Sequence, residues 1–205
     1  MTRRLRRLTA YALLAGGLWA ASTEAGGSGP KERPAHWAQP IAVKGVPNLH
    51  KVSDGLYRSA QPTDKGMANL RDLGIETVVN LRSMHSDRDE IGETGLAYEH
   101  IYMKAWHPEE EDVVRFLQIV TNPKRQPVLV HCQHGADRTG TMCALYRILV
   151  QGWTKEDAIE EMREGGYGYH AIFRNLPKFI DSLDLDAIRK RAGLPAPVPT
   201  QNTKP

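Results

Sequence analysis

The sequence predicts an α/β sandwich, a mainly parallel central sheet flanked by helices. Three observations carry that prediction. β-Branched and apolar runs at Thr77–Leu81 and Pro127–His131 alternate with stretches of helical periodicity at 63–73, 107–120 and 138–151. A tight glycine-containing turn, His131 to Gly140, joins the second run directly to the third helical stretch, giving the order strand, loop, helix. A chain of 205 residues, 40% hydrophobic and 25% charged, has the size and balance of one globular domain with its own core.

Residues 1–25 read as an export signal. Arg3, Arg4, Arg6 and Arg7 form a basic start, Leu8–Ala21 an uncharged apolar run, and Thr23 and Ala25 are small residues placed for cleavage after Ala25; cleavage after Ser22 also fits. The run is short for a membrane span. The expectation is therefore a periplasmic or otherwise exported protein with no stable membrane insertion after cleavage, a retained anchor being the alternative. The formal charge of +3 comes from this segment, since without its four arginines and Glu24 bases and acids balance. A near-neutral mature chain gives no electrostatic reason for a nucleic-acid partner.

Gly, Pro, Ser and charges at 26–45 predict a flexible linker, and residues 46–190 the folded domain. Residues 52–60, around Gly55, fit a hairpin or edge strand. Thr63 caps a helix that Gly74 stops, with Met67, Leu70 and Leu73 on its apolar face. Thr77–Leu81 is a strand, 83–95 a loop and 97–103 a third strand. Pro108 followed by Glu109, Glu110, Glu111 and Asp112 places proline at the first helical position and acids over the positive end of the dipole. After the strand at 127–131 come a helix at 138–151, one capped by Thr154 and ending at Gly165-Gly166, and a last one over about 172–190; the proline-rich tail, 191–205, is expected to be disordered.

The chemistry lies in His131-Cys132-Gln133-His134-Gly135-Ala136-Asp137-Arg138-Thr139-Gly140. Five residues between Cys132 and Arg138 let the chain curl once, so that the N–H groups of Gln133, His134, Gly135, Ala136, Asp137 and Arg138 turn inward at a helix N-terminus, an anion site. Gly135 removes a Cβ where the backbone crowds. Arg138 closes the ring with a planar fork matching two phosphate oxygens. The same field favours the thiolate of Cys132, the nucleophilic form, and Thr139 is placed to hydrogen-bond the sulfur when it becomes the leaving group. Cys143, on an apolar helical pattern, is expected to be packed core rather than a disulfide partner.

His-Cys-x2-Gly-x2-Arg-Thr-Gly resembles the signature of the cysteine-dependent protein tyrosine and dual-specificity phosphatases. Leu56–Pro62, Val78–Arg82 and Tyr146–Trp153 are similar to bacterial members of the dual-specificity type, so that the resemblance spans about residues 46–185. It implies a protein-tyrosine-phosphatase-like sandwich and hydrolysis of phosphotyrosine, with phosphoserine and phosphothreonine as further substrates, through a phosphocysteine at Cys132. The expected partner is a phosphorylated protein or small phosphomonoester; no metal or other cofactor is implied. His131 would support the loop. Arg58 and Arg82, which recur in the similar segments, would hold acidic partners in the sheet.

One departure stands out. The related enzymes place an aspartate proton donor on a mobile loop ahead of the cysteine, but the corresponding window, 97–107, contains none, and the carboxylate expected near 105 is Ala105. The nearest substitutes are His107 and Glu109; Asp112, Asp87, Asp89 or no acid at all remain open. Three other functions compete. The absence of lysine within 132–138 argues against an inositol-phosphate phosphatase, while His134 keeps it open. A catalytically weak phosphopeptide-binding module would explain the missing aspartate. Arsenate or sulfur chemistry lacks a second thiol placed to resolve an intermediate.

Overall fold

In the computed structural model, which describes residues 33–196, the alternation of strand and helix resolves into thirteen elements. They are β1 (Gln39–Pro40), β2 (His50–Ser53), β3 (Leu56–Ser59), α1 (Asp64–Asp72), β4 (Thr77–Asn80), α2 (Arg88–Ile91), β5 (Ala97–His100), α3 (Glu110–Val120), β6 (Val128–His131), α4 (Asp137–Gln151), α5 (Lys155–Glu164), α6 (Asn175–Ser182) and α7 (Leu185–Ala192). The strands form one sheet in the order β1-β2-β3-β6-β4-β5. β3, β6, β4 and β5 run parallel, and β2 and β1 add an antiparallel edge.

The register brings three strand ends level. Ser59 of β3 and Asn80 of β4 both pair with His131 of β6. Whatever follows β6 therefore emerges between Ala60 and Leu81, outside the carboxyl ends of parallel strands, where open α/β sheets bind ligands. Successive residues of β6 face opposite sides of the sheet. Val128 and Val130 join the larger core with α3–α7, while Leu129 joins Val78, Met67, Leu70 and Ile75 under α1. All four β6 residues are buried, as a central parallel strand requires.

Helix starts follow local chemistry. Thr63 Oγ1 accepts from Gly66 N at 3.1 Å, and Thr154 Oγ1 from Asp157 N at 3.0 Å. Several expectations need correction. Proline 108 precedes α3 rather than opening it: His107 N donates to Lys104 O at 3.1 Å, closing a turn, and Glu109 is still extended. The loop at 83–95 contains α2, because Tyr98 OH takes the backbone N of buried Asp87 at 3.1 Å and fixes the chain there. The last helix is two, broken at Leu183; Asp184 caps the second by accepting from Asp186 N and Ala187 N at 3.1 and 3.0 Å, and that helix runs to Ala192, inside the predicted tail.

The linker expected at 26–45 is, from Arg33 onward, part of the folded unit. β1 pairs with β2, Ala38 is buried, and Arg33 donates to Ala38 O at 3.0 Å, to Tyr167 OH and to Gly165 O. A Pro-, Gly- and charge-rich composition does not reveal such side-chain anchoring. The export-signal reading of 1–25, residues 26–32 and the tail from 197 lie outside the described residues. Among the described residues no helix is long and apolar enough to cross a membrane.

Candidate active site

Cys132 follows β6 directly and is 2% exposed. The chain then curls through Gln133 and His134, both exposed, to Gly135 and into α4. Gly135 has φ +68°, and a Cβ there would lie 2.5 Å from Ala60 N and from the carbonyl of Ser59. Both backbone conformation and close approach to the end of β3 therefore require glycine. Ala136 stands at the N-cap of α4 and offers no side-chain acceptor, leaving first-turn amides for a ligand. Arg138, half-buried, directs Nη1 toward Leu81 O at 3.3 Å and Met103 O at 3.4 Å, between the segments leaving β4 and β5. Thr139 Oγ1 is buried and has no partner among the described residues. Cys143 is packed in the core, where burial pushes its thiol up to about 11; it is the inert member of the two cysteines.

Three buried side chains brace this loop from behind. Arg58, 1% exposed, donates from Nη2 to Gly135 O at 2.7 Å and lies 3.6 Å above the Tyr167 ring centroid. It holds a carbonyl and an aromatic face, not the acid expected of it. Arg82 likewise bonds Gln61 Oε1 at 2.9 Å rather than an acid. His131 pairs through Nε2 with Asp87 Oδ2 at 2.6 Å, both side chains fully buried, and its Nδ1 lies 3.4 Å from Cys132 O. Asp87 Oδ1 accepts from Gln61 Nε2 and Asn80 Nδ2, each at 3.0 Å. Asp87 is thus a brace locked behind the loop, not an exposed proton donor.

Burial alone would raise the Asp87 carboxyl. The hydrogen bond and charge of His131, with Gln61 and His85, outweigh it and hold the group below its ordinary 3.8. A depressed folded-state value stabilises the fold above the ordinary value, and that stability is lost as pH falls below it. Asp87→Asn is expected to lower the thermal midpoint at pH 7 and to flatten its decline below about pH 4. Calorimetry from pH 7 to 3 checks this; parallel curves for the two proteins would contradict it.

Of the expected proton donors, His107 and Glu109 expose 71% and 54% of their side chains and lie 4.0 Å apart, and among the described residues neither hydrogen-bonds the loop. Asp112 is half-buried in the first turn of α3, its carboxyl raised by burial and by Glu109 and Glu111, and Asp89 lies in α2. Ala105 is buried, its carbonyl taken by Asn175 Nδ2 at 2.8 Å.

A residue the sequence did not single out does reach the loop. His170, between α5 and α6, gives its backbone N to Asp137 Oδ1 at 2.9 Å and sets Nδ1 2.8 Å from Asp137 Oδ2. Its ring centroid is 5.1 Å from that of His134. No local pattern links positions so far apart in sequence. His134, Asp137 and His170 form a group of metal-ligating type, but both Asp137 oxygens are occupied by His170. In a second such group, His85, Asp87 and Glu90, the Asp87 oxygens are likewise committed to Gln61, Asn80 and His131.

Comparisons with known proteins agree with this geometry. The family model described as DSP-PTPase phosphatase fused to NAD+ kinase matches residues 44–172. The chain is 38% identical over 178 residues to the dual specificity protein phosphatase TpbA of Pseudomonas aeruginosa strain UCBPP-PA14, covering 86% of this chain and 78% of that protein. A crystal structure of P. aeruginosa TpbA in complex with pTyr aligns with TM-score 0.70 at 34% identity, over 79% of this chain and 99% of that one. The catalytic core of the PP-IP phosphatase SIW14 from S. cerevisiae shares the fold, with TM-score 0.64 at 24% identity over 74% of this chain and 94% of that one.

Proposed function

The chain belongs to the dual-specificity branch of the cysteine-dependent protein tyrosine phosphatases, and from that premise we propose that Cys132 carries a phosphocysteine intermediate in an exported phosphotyrosine hydrolase. Phosphatase activity follows from family membership. The observation that supports the assignment of roles is the loop itself, with a buried cysteine at a strand end, a glycine no other residue can replace, an uncapped helix and Arg138 at the rim.

In the first step the Cys132 thiolate attacks phosphorus; the S–P bond forms and the bond to the phenolic oxygen breaks. The amides of residues 133–138 and the Arg138 fork take the charge of the non-reacting oxygens. In the second, water attacks phosphorus, the S–P bond breaks and sulfur leaves as thiolate, for which the unpartnered Thr139 hydroxyl is an available donor. His131 and Asp87 hold the backbone at Cys132 in place. The basic and then apolar start of the sequence supports export to the periplasm.

A phosphotyrosine peptide, a phosphoserine peptide and soluble inositol phosphates, each assayed in EDTA under reducing conditions, test the proposal. Fastest release from phosphotyrosine is expected, since a phenol leaves more readily than an alkyl alcohol. Faster turnover of phosphoserine, or of inositol phosphates alone, would overturn it. Tight peptide binding without turnover would identify a binding module.

A further inference from the structure

We infer that His170, oriented by Asp137, is the catalytic residue that gives and recovers the proton, in place of the aspartate this chain lacks; the inference rests on the phosphatase reading above. Expelling a tyrosine phenolate needs a proton, and the segment 97–107 has no aspartate to give one. The methyl group of buried Ala105 transfers nothing. His107 and Glu109 have the right chemistry, but among the described residues no hydrogen bond ties either of them to the loop.

His170 is tied twice. Its backbone and its Nδ1 both meet the carboxylate of Asp137, which directly precedes Arg138 in the chain. Asp137 is 5% exposed, and among the described residues its two oxygens bond His170 alone. A carboxylate only accepts hydrogen bonds, so the Nδ1 of His170 must be the donor. That fixes the tautomer and leaves Nε2 as the working nitrogen. The side chain is 47% exposed, Nε2 makes no hydrogen bond among the described residues, and the ring stands beside that of His134, itself on the phosphate loop. A half-exposed imidazole backed by a buried carboxylate of the nucleophile's own loop is the base-and-orienter pairing of acyl-transfer triads, here without the need to deprotonate the nucleophile.

The proton balance closes over the two steps. With Nε2 protonated, His170 passes that proton to the phenolic oxygen as the P–O bond breaks and the S–P bond forms. The neutral Nε2 then accepts a proton from the attacking water as its oxygen bonds to phosphorus and the S–P bond breaks. The Nδ1–H···Asp137 bond persists throughout, and nothing outside substrate and water is consumed.

The test separates leaving groups. kcat/KM reports the first chemical step; it is measured in EDTA for wild type, His170→Ala and Asp137→Asn on p-nitrophenyl phosphate, whose electron-poor phenolate leaves unprotonated, and on phenyl phosphate, whose phenolate does not. His170→Ala is expected to lose about 100-fold on phenyl phosphate and less than about 10-fold on p-nitrophenyl phosphate. Asp137→Asn should lose activity in the same order, less steeply. An equal loss on both esters would mark a structural role and overturn the inference. So would the selective loss appearing in His107→Ala or Glu109→Gln instead. If wild type releases nothing from either ester, the phosphatase reading itself has failed; normal wild-type turnover with an unselective His170→Ala rejects the dyad alone.

Discussion

Replacing Cys132 with serine is expected to lower kcat/KM toward phosphotyrosine by about five orders of magnitude, on the order of 7 kcal/mol of transition-state stabilisation. Among the described residues no base hydrogen-bonds the side chain of residue 132, so none is placed to deprotonate a hydroxyl there. His131 is committed to Asp87 through Nε2, and its Nδ1 faces the Cys132 carbonyl rather than the side chain. Serine would offer only a neutral hydroxyl, a weak nucleophile without a base beside it. Binding should survive, because amides and guanidinium are untouched. Isothermal titration with a phosphotyrosine peptide should therefore give a dissociation constant near the wild-type KM while turnover disappears. A serine variant retaining even a hundredth of wild-type turnover would mean that sulfur is not the nucleophile.

The second large effect concerns stability. Glu161, 4% exposed, receives Nε and Nη2 of Arg147 at 2.8 and 3.0 Å, Tyr167 OH at 3.0 Å and Ala38 N at 2.6 Å. Burial opposes its charge, but these partners win and hold its carboxyl below the ordinary range. Glu161→Ala would leave the 3% exposed Arg147 without its counter-charge. Removing one member of a buried pair costs about 3–5 kcal/mol, which for a domain of this size lowers the melting temperature by roughly 6–20 °C. Glu161→Ala combined with Arg147→Met should recover part of that loss, since no unpaired charge remains. Calorimetry on the two variants decides it; a midpoint for Glu161→Ala within 2 °C or so of wild type would show the pair to be energetically idle.

Which features the sequence revealed depends on how far apart the cooperating residues lie. The phosphate loop was legible because nucleophile, glycine and arginine sit within one turn of chain, and the spacing itself dictates the geometry. Strands β4 and β6 and the threonine caps of α1 and α5 were legible for the same reason. The braces were not. His131 meets Asp87 and Asp137 meets His170 only because the sheet order and the α5–α6 connection bring distant segments to one edge. Arg58 read as an ion-pair partner because a buried guanidinium usually has one; here a carbonyl and an aromatic face take that place. Pro108 and the acids after it announced a helix correctly but started it too early, since the Lys104–His107 turn claims the preceding residues.

The strap formed by residues 33–40 has a practical consequence for how short the catalytic unit can be made. A fragment begun at the start of the recognisable phosphatase segment, near 46, would discard the amide that Ala38 gives to Glu161, the guanidinium that Arg33 sets against Tyr167 and Gly165, and the strand that covers β2. Tyr167 is the ring on which Arg58 rests, and Arg58 carries Gly135. Trimming a peptide remote from the nucleophile in sequence would thus loosen its cradle from the rear, and a faithful catalytic fragment has to keep Arg33.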